Sequence, residues 1–204
     1  MKKIIFDIGA HEGQDSIPLA RESSNTIIYA FEPVPALAKR IKDETSELPN
    51  YNLITKAVSD YTGNTTFNII NDGTGGQSSL LKFNDQVDVV WPSDTFRFTD
   101  EIPVKVIRLD DFIKEKDIKK IDYLHIDAQG SDLSILRGMG EYINIVEEGV
   151  VEASNTGREC YESQNNREQT IQYLKDKNFT ITQVISNDDR GNEVNIYFTN
   201  NFKM

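Results

Sequence analysis

Short apolar runs alternate with amphipathic stretches along most of this 204-residue chain. Runs rich in β-branched and aromatic residues predict buried strands, and stretches with helical periodicity follow several of them. The predicted strands are residues 3–8, 26–31, 52–56, 65–70, 104–109, 121–127, 146–152, 179–185 and 194–199. The predicted helices are residues 14–21, 36–45, 111–116, 133–137 and 166–177. This alternation is typical of an α/β fold with a mostly parallel central sheet flanked by helices.

Two segments depart from the alternation. The last two strands are separated by a run of turn-forming residues, 188–192, which predicts a closing antiparallel hairpin. Residues 71–102 have no clear periodicity and combine glycines and serines with several aromatic residues. So long a connection is typically a lid, a binding loop or a disordered stretch, and the aromatic residues disfavour full disorder. We therefore expect a single domain, 1–204, with an irregular insertion at about 71–102 that covers a substrate, contacts a second copy or packs on itself.

Composition narrows the classes of partner. The net charge of −11 at pH 7 disfavours binding to nucleic acid and to anionic membrane surfaces. No apolar run approaches the length of a membrane span, and the one cysteine, Cys160, cannot form an internal disulfide. Because the first predicted strand begins near Lys3, we expect no signal peptide and a cytoplasmic location. A homo-oligomer is compatible with all of these features.

The first strand runs into a loop that contains candidate ligand-binding residues. Asp7 closes the strand, and Gly9 and Gly13 follow it. Glycines allow positive φ angles and let a ligand approach the backbone, and a helix start offers free N–H groups. The second strand ends in Glu32, about 20 residues past the glycines, where a carboxylate accepts hydrogen bonds from a ribose hydroxyl pair. The sequence therefore predicts a cofactor that contains a nucleoside.

The loop differs from the two common phosphate-binding loops. His11 stands where a dinucleotide-binding loop has its second glycine, and no Gly-Lys-Ser/Thr follows as in a P-loop. An ordinary strand-to-helix turn is the alternative interpretation of the loop by itself. The acid at the end of the second strand favours the cofactor interpretation.

Seven short motifs follow one another between about Ile4 and about Glu152. They are Phe6-Asp7-Ile8-Gly9-Ala10-His11-Glu12-Gly13, Phe31-Glu32-Pro33, Ala57-Val58-Ser59-Asp60, Ser78-Ser79-Leu80, Leu109-Asp110-Asp111-Phe112, Ile121-Asp122 through Asp132-Leu133, and Leu136-Arg137-Gly138. Their order resembles the FkbM family of S-adenosylmethionine-dependent methyltransferases. The resemblance implies a Rossmann-like class I methyltransferase fold, S-adenosyl-L-methionine as cofactor, and O-methylation of a hydroxyl on a small molecule or saccharide.

The positions of the strand ends, together with the family resemblance, predict the cofactor-binding residues. We expect Asp7 to orient the glycine turn or to accept a hydrogen bond from the ammonium of the methionine moiety, and the resemblance places adenine contacts at Ser59 and Asp60. The complete set is Asp7, Gly9, Ala10, His11, Gly13, Glu32, Pro33, Ser59, Asp60 and Asp127.

The catalytic candidates are Asp127 and His125. Asp127 lies at the carboxyl end of the central strand, where open α/β sheets present reactive groups, and it is the candidate general base or substrate-orienting group. His125 is two residues earlier, so both side chains face the same side of the strand. The family usually has Lys-Ile-Asp-x-Glu-Gly-x-Glu, whereas this chain has His125, Gln129 and Asp132 at the Lys and the two Glu positions. The charge of His125 depends on pH near neutrality, and Gln129 lacks a carboxylate.

Two functions of other classes stay open from the sequence. Tyr173 and Lys177 have the Tyr-x-x-x-Lys spacing of a nicotinamide-dependent short-chain oxidoreductase, and a non-catalytic cofactor-binding module would share the same fold. Within the methyltransferase interpretation, Asp127, Glu152 and Asn155 imitate the oxygen ligands of a magnesium site. The resemblance is to a group not defined by a metal site, so we expect no metal.

Overall fold

The computed structural model describes residues 2–70, 76–92 and 96–201, and within these ranges the strands form two sheets. The strands are β1 (Lys3–Ile8), β2 (Thr26–Phe31), β3 (Tyr51–Ile54), β4 (Ala57–Val58), β5 (Gly63–Ile69), β6 (Asp100–Ile107), β7 (Ile121–Ile126), β8 (Val146–Ser154), β9 (Phe179–Ser186) and β10 (Glu193–Asn200). The helices are α1 (Ile17–Glu22), α2 (Pro35–Glu44), α3 (Val87–Val90), α4 (Leu109–Glu115), α5 (Asp132–Gly138) and α6 (Arg167–Asp176), with a 3₁₀ helix at Gly140–Ile145.

The larger sheet has the strand order β3-β2-β1-β7-β8-β10-β9. The first five strands in this order are parallel, and β10 is antiparallel to both β8 and β9. The predicted parallel sheet and closing hairpin are therefore confirmed. After β1 the chain proceeds towards β2, whereas after β7 it proceeds towards β8 on the other side. A crevice opens where such connections diverge, so the fold places its ligand site at the carboxyl ends of β1 and β7.

The two faces of this sheet are covered differently. Apolar side chains such as Phe6, Leu124 and Val151 pack on one face in a core that α4, α5 and α6 complete. On the other face, Ile5 and Ile28 pack in a smaller cluster with residues of α1 and α2. None of the helices in the described ranges has the length and apolar character needed to cross a bilayer.

The smaller sheet has the order β4-β6-β5. Its first strand, Ala57–Val58, was not predicted, because two residues are too few to show a periodicity. It pairs in parallel with β6, and β6 pairs antiparallel with β5. The third predicted strand, residues 52–56, is shorter in the structure: Tyr51–Ile54 lies in the larger sheet, and the chain then passes to Ala57–Val58 in the smaller one.

Boundaries differ elsewhere by a few residues. The first helix begins at Ile17 instead of residue 14, because the turn around Gly13 is closed by its own hydrogen bonds and by the Ser16 hydroxyl contact with Tyr51 at 2.9 Å. The last predicted helix begins after Asn166, whose side chain accepts from the backbone N–H of Gln169 in a capping box.

The segment predicted as an irregular insertion contains regular structure at its end, since β6 begins at Asp100. The glycines at 73 and 75 lie outside the described residues. The described part carries α3 and an aromatic cluster in which Phe83 stacks on Phe98 and on Tyr161, with ring centroids 4.1 and 4.9 Å apart. These contacts attach the segment to the loop that follows β8.

Candidate functional site

A cleft lies at the carboxyl ends of β1, β2 and β7, at the point where the connections diverge. Its walls combine backbone of the glycine loop with acids from two strand ends and apolar side chains of the smaller sheet. The lining includes Gly9, His11, Glu32, Pro33, Leu37, Val58, Phe67, Leu80, Asp127 and Gln129. Five of the predicted cofactor residues are thus brought together: Gly9, His11, Glu32, Pro33 and Asp127.

Glu32 is the buried acid of this cleft, with 4% of its surface exposed. One carboxylate oxygen accepts from the N–H of Val34 at 2.7 Å, and the other accepts from the N–H of His11 at 2.9 Å. Burial raises the pKa of Glu32 to about 7, although both backbone donors oppose the shift. A carboxylate has about four acceptor positions, so two remain for a ligand. These free acceptor positions fit a ribose, whose two hydroxyls donate.

Gly9 sits where the glycine loop touches the end of β7. Its φ is +83°, and a Cβ at this position would lie 1.8 Å from the carbonyl oxygen of Asp127. Any other residue would push the two strand ends apart, so the close approach requires glycine. Gly13 has a φ of +79° and serves the turn into α1, since a Cβ there would meet the side chain of Ile17.

Five predicted cofactor residues do not belong to the cleft lining found in the described ranges. Ala10 packs under α1, and Gly13 lies in the turn before it. Asp7 faces the opposite side of the sheet, in a separate groove. Ser59 and Asp60 also lie away from it: Ser59 is packed against Gly138, and the carbonyl of Asp60 accepts from Arg108 at 2.8 Å.

The residues just before Ser59 line the part of the cleft where Ser59 and Asp60 were expected. Lys56, Ala57 and Val58 line the cleft, because β4 carries the chain across it and out to the smaller sheet. Sequence reasoning missed these residues, as well as Leu37, Phe67 and Leu80. Except for Lys56 they are apolar and look like core residues along the chain, although Ala57, Val58 and Leu80 stand in motifs that carry the family resemblance.

The side chain of Asp127 is held by Gln129, one of the residues that depart from the family pattern. The side-chain amide nitrogen of Gln129 donates to Asp127 Oδ1 at 2.8 Å and to Glu152 Oε2 at 3.0 Å. The amide oxygen of Gln129 accepts from the Tyr161 hydroxyl at 3.1 Å, and its backbone carbonyl accepts from Ser79 at 2.6 Å. Gln129 therefore connects two strand-end acids to the loop after β8 and to the segment before β6.

Glu152 is the second acid of this network and was not among the predicted catalytic residues. It is 3% exposed and accepts from the Asn187 amide at 2.6 Å. Burial, and next the charge of Asp127, raise the pKa of Glu152 well above its ordinary value. The protonated form of Glu152 is therefore favoured relative to an ordinary, solvent-exposed glutamate.

The hydrogen-bond partner of His125 is an acid on the neighbouring strand. Its Nδ1 lies 2.8 Å from Asp7 Oδ1, on the neighbouring strand, and not against Asp127. Burial lowers the pKa of His125, but the hydrogen bond to Asp7 and the charge of that acid outweigh burial, so the pKa is raised. Although His125 and Asp127 are two residues apart on the chain, His125 therefore acts on Asp7 by direct contact and not on Asp127.

The raised pKa of Glu32 predicts that binding of S-adenosylhomocysteine depends on pH. The predicted hydrogen bonds from ribose hydroxyls to the ionised carboxylate would lower the pKa of Glu32, so binding should become tighter as pH rises through about 7. We expect the dissociation constant to fall about tenfold between about pH 5.5 and 8 if binding lowers the pKa by about one unit. Calorimetric titrations across this range measure it. In Glu32→Gln, which cannot titrate, the dependence should largely disappear; an unchanged slope would assign it to another acid.

The same shift has a consequence for the free protein. A buried acid whose pKa is raised above its ordinary value favours folding at low pH. Its contribution is therefore lost as pH rises from about 4.5 through about 7.

Comparisons with known proteins agree with this geometry. The FkbM methyltransferase domain matches residues 7–181. The 2-O-methyltransferase NoeI of Sinorhizobium fredii is 27% identical over 167 residues, which cover 79% of this chain and 66% of that protein. The chain thus matches just under two thirds of that relative's length.

Solved structures share the fold at low identity. TrmK of M. capricolum, in complex with S-adenosylhomocysteine, superposes with a TM-score of 0.53 at 14% identity, covering 98% of this chain and 63% of that one. Aeropyrum pernix fibrillarin, with natively bound S-adenosyl-L-methionine, gives a TM-score of 0.54 at 11% identity, covering 97% and 66%. At these identities the similarity establishes the fold alone.

Proposed function

The chain belongs to the FkbM methyltransferase family, and on that premise we propose that it transfers the methyl group of S-adenosyl-L-methionine to a hydroxyl oxygen of a small molecule or saccharide. The observation that carries this proposal is the position of Asp127. Its carboxylate lines the cofactor cleft at the divergence of the connections, and it is held there by Gln129. A proton acceptor beside the cofactor is what an alcohol needs in order to act as a nucleophile.

The cofactor, when bound, supplies a methyl group on a positively charged sulfur. The chain's own residues bind, orient and remove a proton. Glu32 accepts from the ribose hydroxyls, and Gly9 lets the backbone approach the cofactor. Asp127 takes the proton of the acceptor hydroxyl, while Gln129 keeps one of its oxygens in place. Holding the hydroxyl in line with the methyl group supplies much of the remaining acceleration.

The acidic side chains around Asp127 restrict the charge that the methyl acceptor can carry. Asp127, Glu152 and Glu193 approach one another, and burial followed by the charge of Asp127 raises the pKa of Glu193 to about 8. The carboxylate of Asp127, as the proposed proton acceptor, would repel a phosphate or carboxylate on the acceptor. We therefore favour an acceptor that is neutral or cationic near its reacting hydroxyl, in agreement with the net charge of −11.

The one motif that supports the oxidoreductase alternative is the Tyr-x-x-x-Lys spacing of Tyr173 and Lys177, and helix packing accounts for it. The Tyr173 hydroxyl donates to the carbonyl of Leu136 at 3.0 Å, and Lys177 lies over the Tyr173 ring, 6.0 Å from its centroid. Both residues thus attach α6 to the helical layer beneath the sheet. Their spacing reflects helix packing, and neither residue lines the cofactor cleft.

The proposed function is tested by methyl transfer from radiolabelled S-adenosyl-L-methionine to a panel of alcohols, phenols and neutral sugars. We expect labelled ether on at least one acceptor. Thermal stabilisation by S-adenosylhomocysteine without transfer to any acceptor would favour the non-catalytic binding module instead. Equal stabilisation by NAD would overturn the cofactor assignment.

We expect activity to be independent of added metal. Two of the candidate magnesium ligands already accept hydrogen bonds, since amide groups of Gln129 and Asn187 donate to one oxygen of Asp127 and to both oxygens of Glu152. The amide of Asn155 donates to the carbonyl of Gly191 at 2.7 Å. Transfer should be unchanged after dialysis against a chelator. Loss of transfer that magnesium restores would contradict this prediction.

A further inference from the structure

A groove of about 440 Å³ lies on the sheet face opposite the main core. Its floor is formed by side chains of β1, β7, β8 and β10, and its wall by Asp15, Ser16 and Leu19 at the start of α1. In the described part of the chain no helix covers β7, β8 and β10 on this face, whereas three helices pack on the other.

The register of the strands shows how close the groove comes to Asp127, the candidate general base. Tyr123 lies beside Glu148, and the next row places His125 beside Val150 and Val150 beside Tyr197. Asp127 comes directly after the end of β7, and Glu152 is the next residue of β8 on this face; the Gln129 amide donates to both. Each row is about 6.6 Å from the next, because side chains on one face recur every two residues. The groove floor therefore ends at His125 and Val150, about one row short of Asp127, the acid that lines the cofactor cleft.

The lining has the chemistry of a site for a polyhydroxylated ligand. Tyr123 and Tyr197 are partly exposed and offer aromatic rings, while Glu148 and Asn195 offer hydrogen-bonding groups between and beyond them. Aromatic rings bind apolar ring faces, and carboxylate or amide groups bind hydroxyls. Asp7 adds an independent observation: its side chain is 2% exposed, yet its Oδ2 has no hydrogen-bond partner.

We propose that this groove binds the methyl acceptor as an uncharged oligosaccharide and brings one of its hydroxyls to Asp127. The proposal rests on the function proposed above and adds the location and the charge of the acceptor. The carboxylates of Asp7, Asp15 and Glu148 line the groove beside two basic residues, Lys3 and His125, and His125 is already paired with Asp7; the acids are in excess, so an anionic chain is disfavoured. The cofactor reaches Asp127 from one side through the cleft, and the acceptor reaches it from the other along the sheet.

Binding is measured by saturation-transfer NMR on the full chain loaded with S-adenosylhomocysteine. The probes are maltohexaose, cellohexaose and chitohexaose, with hexagalacturonate as the anionic comparison. We expect at least one neutral hexasaccharide to bind and hexagalacturonate not to bind. Tyr197→Ala should weaken binding about threefold to tenfold, whereas Tyr197→Phe keeps the ring and should retain it.

Glu148→Lys tests the groove without altering the core, because Glu148 is exposed on its floor. It should weaken neutral-sugar binding at least as much as Tyr197→Ala, since the longer cationic side chain fills the groove. Glu47→Lys makes the same charge change at an exposed position outside the groove and should have no effect. All variants should keep the thermal shift with S-adenosylhomocysteine, which verifies folding.

The outcomes separate this proposal from the proposed function. Absence of binding by all three neutral hexasaccharides, or binding that Tyr197→Ala and Glu148→Lys leave unchanged, would overturn the groove assignment. Binding of hexagalacturonate in preference would overturn the charge assignment. Groove-dependent sugar binding without methyl transfer to the bound sugar would contradict the proposed O-methylation while leaving the ligand class of the groove in place.

Discussion

Asp127→Asn is expected to lower the rate of methyl transfer by about 100- to 10,000-fold, the usual contribution of a general base. The amide keeps an oxygen that accepts from Gln129, so the network survives, but it cannot take a proton. Affinity for S-adenosylhomocysteine should change little, because the proposed cofactor contacts, Glu32 and the glycine loop, follow other strands. Single-turnover rates with the acceptor found in the panel measure the first effect, and calorimetry measures the second.

Two variants serve as controls for this result. Asp122→Asn makes the same change at the amino end of β7, where the carboxylate accepts from the N–H of Ile4 at 2.7 Å, and should leave turnover unaltered. His125→Gln should have a smaller effect than Asp127→Asn, because His125 contacts Asp7. If His125→Gln abolished turnover while Asp127→Asn lost the cofactor, the two assignments would be reversed.

Glu32→Ala should weaken S-adenosylhomocysteine binding by about 100-fold or more. Hydrogen bonds to a charged group contribute about 1.5 to 3 kcal/mol each, and two ribose hydroxyls would lose their acceptor. The thermal shift produced by the ligand should largely disappear. Calorimetric titration gives the affinity directly, which separates a binding defect from a change in the stability of the free protein.

The stability of Glu32→Ala without ligand must also be measured, because an unfolded variant would bind no cofactor. Removing the carboxylate leaves the N–H groups of His11 and Val34 without this acceptor, but it also removes a buried acid whose pKa is raised to about 7. These effects oppose each other, so we expect the variant to fold. Glu12→Ala removes an exposed carboxylate from the glycine loop, outside the cleft lining, and should keep full affinity. An unchanged ligand shift in Glu32→Ala would refute the role of this acid.

Several features of the site arise from contacts that no local pattern reports. Ser59 and Asp60 follow a strand in the sequence and were expected to contact adenine, yet β4 pairs with β6 and carries them past the cleft. His125 and Asp127 alternate on one strand, but the partner of His125 is Asp7, 118 residues away in sequence. Gln129 was noted as the loss of a carboxylate, and only the folded chain shows its amide between two acids.

The sequence by itself determined the order of strands and helices, the parallel sheet with its closing hairpin, the glycine loop and Glu32. These follow from periodicity, turn chemistry and strand-end position, which are local properties of the chain. The tertiary structure alone decided which strands are neighbours, which face stays uncovered and which acids share a donor. These depend on pairing between distant segments, where register and burial select one arrangement among many that the same local patterns allow.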